Sequence, residues 1–195
     1  MAVQDAVTSL PRPAFDEPVK LASFAFCIAN AAFLATMALQ GLWLIDPAGV
    51  WSAPKSEMAR LVLEKGKNPL IPHNEDEFAE TFAFVTSDPP FVPRPMLDVL
   101  AQTNIHNVRL AENIFLQTVS DSIEERAHTL RIPALIVWGA KDRVISVESA
   151  QVLHRLMPNS QVRIMDGLGH LPMIESPRES AKDYLAYRDK LTASG

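Results

Sequence analysis

The last third of the chain contains the stretch that decides the fold, "RIPALIVWGAKDRVISVESAQVLHRLMPNSQVRIMDGLGHLPMIESPRESAKDYLAY", residues 131–187. Residues 134–139, ALIVWG, form a continuous apolar run that ends in a turn, which is typical of a parallel strand covered on both faces. Residues 161–165, QVRIM, predict a second strand. Between the two, Ser146 predicts the cap of a helix whose inward face would be Ala150, Leu153 and Leu156. This alternation indicates a right-handed crossover unit in a parallel sheet.

A further helix is predicted after the second strand. Ser176 and Glu179, three residues apart, form a capping-box pattern, and Pro177 occupies the first helical position that proline prefers. The order of elements in this region is therefore strand, helix, strand, helix.

Two residues of complementary chemistry follow the two strands. Asp142 comes four residues after the predicted end of the first strand, and His170 comes five residues after the second. Functional groups of parallel sheets gather beyond the carboxyl ends of strands, and neighbouring strands lie about 4.8 Å apart. A buried carboxylate that accepts the proton of one ring nitrogen leaves the other nitrogen basic. Each residue alone is typical of a turn or a solvated loop, but together they predict an acid–base pair, which Gly167 and Gly169 help to orient.

These motifs resemble those of the α/β-hydrolase family. The segment W-G-x-x-D, residues 138–142, looks like the one that places the catalytic acid in that family. The segment G-H-x-x-x-x-E-x-P, residues 169–177, looks like the one that places the catalytic base. The resemblance implies that Asp142 is the acid and His170 the general base of a Ser-His-Asp mechanism.

The resemblance extends over residues 41–190. Residues 42–50, LWLIDPAGV, are similar to the strand that leads into the family's cap. Residues 51–130 look like the helical cap itself, most like that of monoacylglycerol-lipase-type esterases and lipases. The implied fold class is α/β: a truncated α/β-hydrolase, with a partial parallel sheet and an inserted all-helical cap. The implied substrate is a small apolar ester or a lipid-like molecule.

The nucleophile that the resemblance implies is missing from this sequence. In the family it lies in G-x-S-x-G on a strand-to-helix elbow, upstream of the acid and the base. No two of the seven glycines are four residues apart, and none precedes Gly41, so the glycine-rich oxyanion loop is also absent. Ser23 and Cys27 are the two candidate substitutes. Leu21 stands where the turn before Ser23 needs glycine, and Cys27, although flanked by small alanines, is too close to Asp46 for the family's intervening helix and turn. No residue is therefore assigned as nucleophile.

The residues before Trp51 divide into a tail and an apolar segment. We expect residues 1–40 to be a tail plus an apolar helix unlike the family, and residues 41–51 to hold a core strand. Residues 21–45 carry no charge and are long enough to cross a bilayer, but the segment contains polar residues and many alanines. The favoured interpretation is a buried helix at 24–39, with membrane contact through 21–45 as the alternative.

Residues 52–130 predict a helical cap, and residues 131–195 the α/β core that carries the acid and the base. Asn74 and Glu77 form a capping box, and a later helical stripe is expected to break near Asn104. That stripe consists of Leu97, Leu100, Val108, Ala111 and Phe115. An acyl pocket, or alternatively the cap's own core, would be formed by Phe78, Phe82, Phe91 and Met96.

The composition narrows the classes of partner. The net charge of −5 is mild and the cations are scattered, which excludes a nucleic-acid footprint. The chain has one cysteine and five dispersed histidines, so we expect no disulfide, no metal and no cofactor. The expected location is the cytoplasm, with membrane association as the alternative.

Only about three strands are predicted, at 42–45, 134–138 and 161–165, and such a sheet would leave an edge unpaired. We therefore expect self-association through the exposed sheet edge, and an incomplete chain or a shifted reading frame ahead of Gly41. Two functions follow as alternatives. The first is a carboxylic ester hydrolase or lipase by family, inactive in this chain because the elbow is missing. The second is a non-catalytic module that binds hydrophobic ligands or a partner.

Overall fold

The computed structural model describes residues 41–193 and contains one parallel sheet of three strands within that range. The strands are β1 (Leu42–Ile45), β2 (Ala134–Gly139) and β3 (Ser160–Met165), in the order β1-β2-β3. Leu42 is in register with Ala134, and Ala134 with Ser160. The α/β fold class and the three predicted strands are confirmed.

The central strand β2 is buried along its whole length because both faces of the sheet are covered. On one face, Ile136 and Trp138 pack with Leu153 and Met157 of the following helix region. On the other face lie the side chains of Leu135, Val137, Met165 and Tyr187. Full burial of a large apolar side chain stabilises the fold by about 1.5–3 kcal/mol. The continuous apolar run of β2 therefore explains why this strand occupies the centre of the sheet.

Eight helices accompany the sheet in the described range. Five of them lie between β1 and β2 and form what is called here the helical block: α1 (Glu57–Lys65), α2 (Glu75–Val85), α3 (Arg94–His106), α4 (Val108–Ser120) and α5 (Glu124–Ala127). The other three are α6 (Ser149–Leu156) between β2 and β3, and α7 (Pro172–Glu175) and α8 (Pro177–Ala193) after β3. The predicted all-helical insertion is therefore present.

The caps show where local sequence patterns were sufficient. The side-chain oxygen of Asn74 accepts the N–H of Glu77 at 2.9 Å, as predicted, and the Glu77 carboxylate accepts the backbone N–H of His73 at 2.8 Å. Helix α8 begins at Pro177, also as predicted.

The prediction that Ser146 caps a helix is wrong. Helix α6 begins at Ser149 with Glu148 at the capping position. The Ser146 hydroxyl donates to the Glu148 carboxylate, and its carbonyl accepts the N–H of Ser149 in a preceding turn. The inward face was predicted correctly, because Ala150 and Leu153 are buried.

The helical stripe between residues 97 and 115 breaks at Asn107, three residues later than expected, where α3 ends and α4 begins. Leu100 is half exposed rather than packed, at 51%. Phe91 and Met96, expected to line an acyl pocket or fill the core of the cap, are exposed by 90% and 59%.

Several expectations lie outside the described residues. They concern the tail, the helix at 24–39, and the side chains of Ser23 and Cys27. Within residues 41–193, none of the helices combines the length and the apolar character that a bilayer crossing requires.

Candidate active site

Asp142 lies in the loop after β2, and its side chain is fully buried. Its Oδ1 accepts the backbone N–H groups of Val144 and Ile145 at 2.8 and 3.0 Å. Its Oδ2 accepts the indole N–H of Trp138 at 3.1 Å and lies 2.9 Å from Nδ1 of His170. Four donors therefore occupy the acceptor positions of this carboxylate.

His170 lies in the loop after β3, with 21% of its side chain exposed. Because Asp142 can only accept at this contact, the hydrogen-bond partner assigns the ring proton to Nδ1 and leaves the lone pair on Nε2. An imidazole held in this tautomer can take a proton from a third group and return it. The structure thus brings together the two residues that the sequence singled out.

The two glycines before His170 have different physical roles. Gly167 has φ +79°, in the left-handed region that favours glycine. Gly169 is needed for space: a Cβ atom there would lie 2.8 Å from the carbonyl oxygen of Val85 and 2.8 Å from the nitrogen of Ser87. The histidine loop therefore touches the end of α2 directly, and the His170 N–H donates to the Val85 carbonyl at 2.8 Å.

The loop of Asp142 is held by a different helix of the block. The N–H of Met58 donates to the carbonyl of Arg143 at 2.9 Å, and the hydroxyl of Ser56 donates to the carbonyl of Val144 at 2.7 Å. The Arg143 guanidinium binds both oxygens of Glu57, at 2.8 and 2.7 Å. The start of α1 thus fixes the acid loop, as the end of α2 fixes the base loop.

Glu175 is a residue of the site to which the sequence analysis gave no role, although it occupies the Glu position of the G-H-x-x-x-x-E-x-P pattern. Its Oε1 accepts the N–H of Gly169 at 2.7 Å. Its Oε2 accepts the N–H groups of Ser87 and Asp88 at 2.7 and 2.9 Å. One carboxylate therefore ties the histidine loop to the chain that leaves α2.

Asp46 is a second residue without a sequence-based role, and only its place directly after the apolar run of β1 could have indicated one. It is buried, with φ 43°, and its Oδ1 accepts the N–H of Gly139 at 3.0 Å. Its Oδ2 is buried with no hydrogen-bond partner among the described residues. Burial, and then the nearby charge of Asp142, raise the pKa of Asp46 to about 8.

Three groups of the site lie close enough together to be considered as ligands for a cation. One carboxylate oxygen of Asp46, one of Asp142 and one ring nitrogen of His170 all lie within 4.8 Å of one another. However, the oxygens of Asp142 already accept four N–H groups, and a cation would have to displace some of these bonds. The hydrogen bonds of the described residues favour proton chemistry, and the absence of a metal stays a prediction.

A cavity of about 520 Å³ lies beside the acid loop. Its lining is largely polar and includes Lys55, Ser56, Arg60, Thr86, Lys141 and Glu148. None of the four apolar residues expected at an acyl pocket lines this cavity. The described residues therefore place no apolar acyl pocket there.

Comparison with known proteins identifies the class of the molecule. The family model described as serine aminopeptidase, S33, matches residues 25–177. This chain therefore belongs to the α/β-hydrolase family, in the branch that this S33 model describes. This match begins at residue 25, whereas the resemblance seen in the sequence begins at Gly41. The family model therefore also covers residues 25–40, which the sequence analysis expected to be unlike the family.

Individual relatives are lipases. Lipase 3 of Moraxella sp. (strain TA144) is 40% identical over 158 residues, which cover 78% of this chain and 49% of that protein. The monoacylglycerol lipase ABHD6 of Mus musculus is 32% identical over 158 residues, covering 74% of this chain and 47% of that protein. This chain thus spans about half the length of the curated relatives that it matches.

A solved structure agrees with the family match and with the lipase relatives. The crystal structure of a membrane phospholipase A, described as a bacterial virulence factor, superposes with a TM-score of 0.79 at 33% identity. The match covers 84% of this chain and 53% of that one. The expected fold, a partial α/β-hydrolase, is confirmed.

Proposed function

We propose that this chain carries the acid and base of a carboxylic ester hydrolase, with Asp142 orienting His170 as general base. The observation that supports the proposal most directly is the 2.9 Å contact between Nδ1 of His170 and Oδ2 of a fully buried Asp142. The lipase relatives favour an ester or lipid-like substrate.

The proposed chemistry follows the Ser-His-Asp pattern. Nε2 of His170 would take the proton of a serine hydroxyl while that oxygen attacks the ester carbonyl, and would return the proton to the leaving alcohol. Asp142 would stabilise the imidazolium formed in between. Water activated by the same nitrogen would then release the acid from the acyl-enzyme.

We propose the same division of the chain as the sequence predicts, with a core strand at 41–51, a cap at 52–130 and an acid–base core at 131–195. The position of the helical block between β1 and β2 supports this division. Since G-x-S-x-G is absent from the 195 residues, the chain by itself is proposed to be inactive toward esters.

The test pairs the full chain with the part of Moraxella Lipase 3 that the chain does not cover, co-expressed as a second polypeptide. With p-nitrophenyl butyrate, we expect no turnover from the chain alone and measurable turnover from the purified pair. Asp142→Asn in this chain should lower kcat of the pair by about 10⁴-fold, because the imidazole loses its orienting acceptor. His170→Ala should lower it at least as much.

The matched control is Asp166→Asn, a change of the same chemistry at an exposed residue between β3 and His170. It should leave turnover within about two-fold, since exposed carboxylates interact weakly. Turnover that survives His170→Ala would contradict the proposal. So would the absence of turnover in a pair that elutes as one complex.

A further inference from the structure

Asp46 connects β1 to the turn that begins the acid loop. Its N–H donates to the carbonyl of Val137 at 3.0 Å, which continues the ladder between β1 and β2. Its Oδ1 accepts the N–H of Gly139, and Gly139 in turn accepts the N–H of Asp142 at 3.2 Å. One carboxyl group thus joins the ends of two strands at the point where Asp142 is positioned.

The second oxygen of Asp46 has no partner among the described residues, although it is buried. A buried polar atom without a hydrogen bond is costly and needs an explanation. The backbone of Asp46 is also in the left-handed region, with φ 43°, which is uncommon for a residue other than glycine. Strained and unsatisfied groups of this kind cluster at functional sites.

Three titratable groups face Asp46 from other parts of the fold. They are Asp142 after β2, His170 after β3 and Glu175 at the end of α7. Two of them are carboxyl groups, so a charge on Asp46 would be buried beside like charges. Burial first, and Asp142 second, therefore raise the pKa of Asp46 to about 8.

We propose that Asp46 is a positioning residue that keeps His170 on Asp142 by remaining neutral, and that its ionisation at alkaline pH releases the imidazole. A neutral Asp46 leaves Asp142 as the one charged acceptor for the Nδ1–H of His170. An ionised Asp46 offers a second charged acceptor within 4.8 Å, so the ring no longer has a single orientation. The step is a proton transfer from the Asp46 carboxyl group to water.

This inference rests on the proposed role of His170, but its test needs no turnover. The full chain, labelled with carboxyl-¹³C aspartate, is titrated by NMR from pH 5 to 10, and the Asp46 signal is assigned by its loss in Asp46→Asn. We expect this signal to move with a midpoint at about pH 8. Over the same range, the downfield Nδ1–H signal of His170 should weaken in the wild type.

Asp46→Asn keeps a carbonyl oxygen for the N–H of Gly139 but cannot ionise, so its Nδ1–H signal should not change at that midpoint. Asp166→Asn, the exposed control, should behave as the wild type does. An Asp46 signal that does not move between pH 5 and pH 10, or equal weakening of the His170 signal in Asp46→Asn, would overturn the proposal. The wild-type titration, assigned through backbone correlations, decides the first point even where the variant does not fold.

The outcomes of the two experiments are distinguishable. The Asp46 signal could have a midpoint near pH 8 although the chain, paired with the Lipase 3 part, does not hydrolyse esters. That result would support the proposed ionisation of Asp46 and contradict the proposed function. Turnover that depends on His170, with Asp46 ionised at pH 6, would do the reverse.

Discussion

At the scale of single residues, the site around His170 contains three carboxyl groups with different environments. Asp142 accepts four N–H groups and Glu175 accepts three, so both are held by donors. Asp46 accepts one N–H group from the described residues. Burial first, and the nearby charge of Asp142 second, raise the pKa of Asp46, and the single N–H group of Gly139 offsets only part of this effect.

The raised pKa of Asp46 has a consequence for stability. The folded protein holds this proton up to about pH 8, whereas the unfolded chain releases it near 3.8, so unfolding between these values releases a proton. The free energy of unfolding should therefore fall as the pH rises through this range and level off above it. A pKa difference is worth about 1.4 kcal/mol per unit, which sets an upper limit of roughly 6 kcal/mol on this effect.

Asp46→Asn stays neutral at every pH and should lack this slope. We expect its free energy of unfolding, relative to the wild type, to increase from pH 5 to pH 9 in urea titrations. The exposed variant Asp166→Asn should show no such increase. A difference between Asp46→Asn and wild type that is constant with pH would contradict the assignment.

At the scale of elements, local sequence patterns correctly predicted those helix starts, caps and strands that depend on a few adjacent residues. The apolar run of β2, the capping position of Asn74 and the start of α8 at Pro177 all follow from a few adjacent residues. The predicted helix cap at Ser146 was wrong because the hydroxyl and the carbonyl of Ser146 form hydrogen bonds within a turn that precedes α6. The break between α3 and α4 was predicted near Asn104 but lies at Asn107. Neither position has a proline or glycine that would mark a helix end in the sequence.

Local sequence patterns predicted only part of the candidate site. Asp142 and His170 stand at strand ends within recognisable spacings. The roles of Asp46 and Glu175 depend on which segments meet in space, since their partners Gly139 and Ser87 are distant in sequence. Glu175 stands in the G-H-x-x-x-x-E-x-P pattern, but the pattern does not show which N–H groups its carboxylate binds.

The contact of Gly169 with the end of α2 gives a prediction at this scale. In Gly169→Ala the new Cβ would overlap backbone atoms of residues 85–87, which cannot rotate away. We expect a loss of about 1–3 kcal/mol in the free energy of unfolding, as is usual for overpacking. Hydrogen exchange at the His170 amide should also become faster, because its bond to Val85 is disturbed.

Gly167→Ala is the matched control in the same loop. Its Cβ would meet open space, so the variant should lose only the cost of a left-handed conformation, about 1–2 kcal/mol. The His170 amide should stay protected. Equal exchange rates at His170 in the two variants would argue against direct coupling between this loop and α2.

At the scale of the whole molecule, β1 forms one side of the sheet, and its outer edge has no partner strand within residues 41–193. The N–H groups of Leu42 and Asp46 point toward β2, so those of Trp43 and Ile45 point away from it. A strand edge without a partner strand is a template for pairing. The alternative interpretation, a module that binds a partner, depends on the same edge.

We expect the 21.5 kDa chain to self-associate through this edge in a concentration-dependent way, as measured by light scattering after size-exclusion chromatography. Ile45→Pro removes an outward N–H without touching the ladder to β2 and should give a monomer. Ile45→Ala, which removes packing but keeps the N–H, should still associate. A wild-type monomer at all concentrations would exclude association through β1.

The separate attachment of the two loops, the acid loop to α1 and the base loop to α2, bears on how such proteins can be recombined. A helical block transferred from a relative with another substrate range would carry its own contacts for Arg143, Val144 and His170. The smallest exchangeable unit is therefore the block together with both loops. Exchange of the block alone is therefore expected to disturb the positions of Asp142 and His170 together, since each loop is hydrogen-bonded to it.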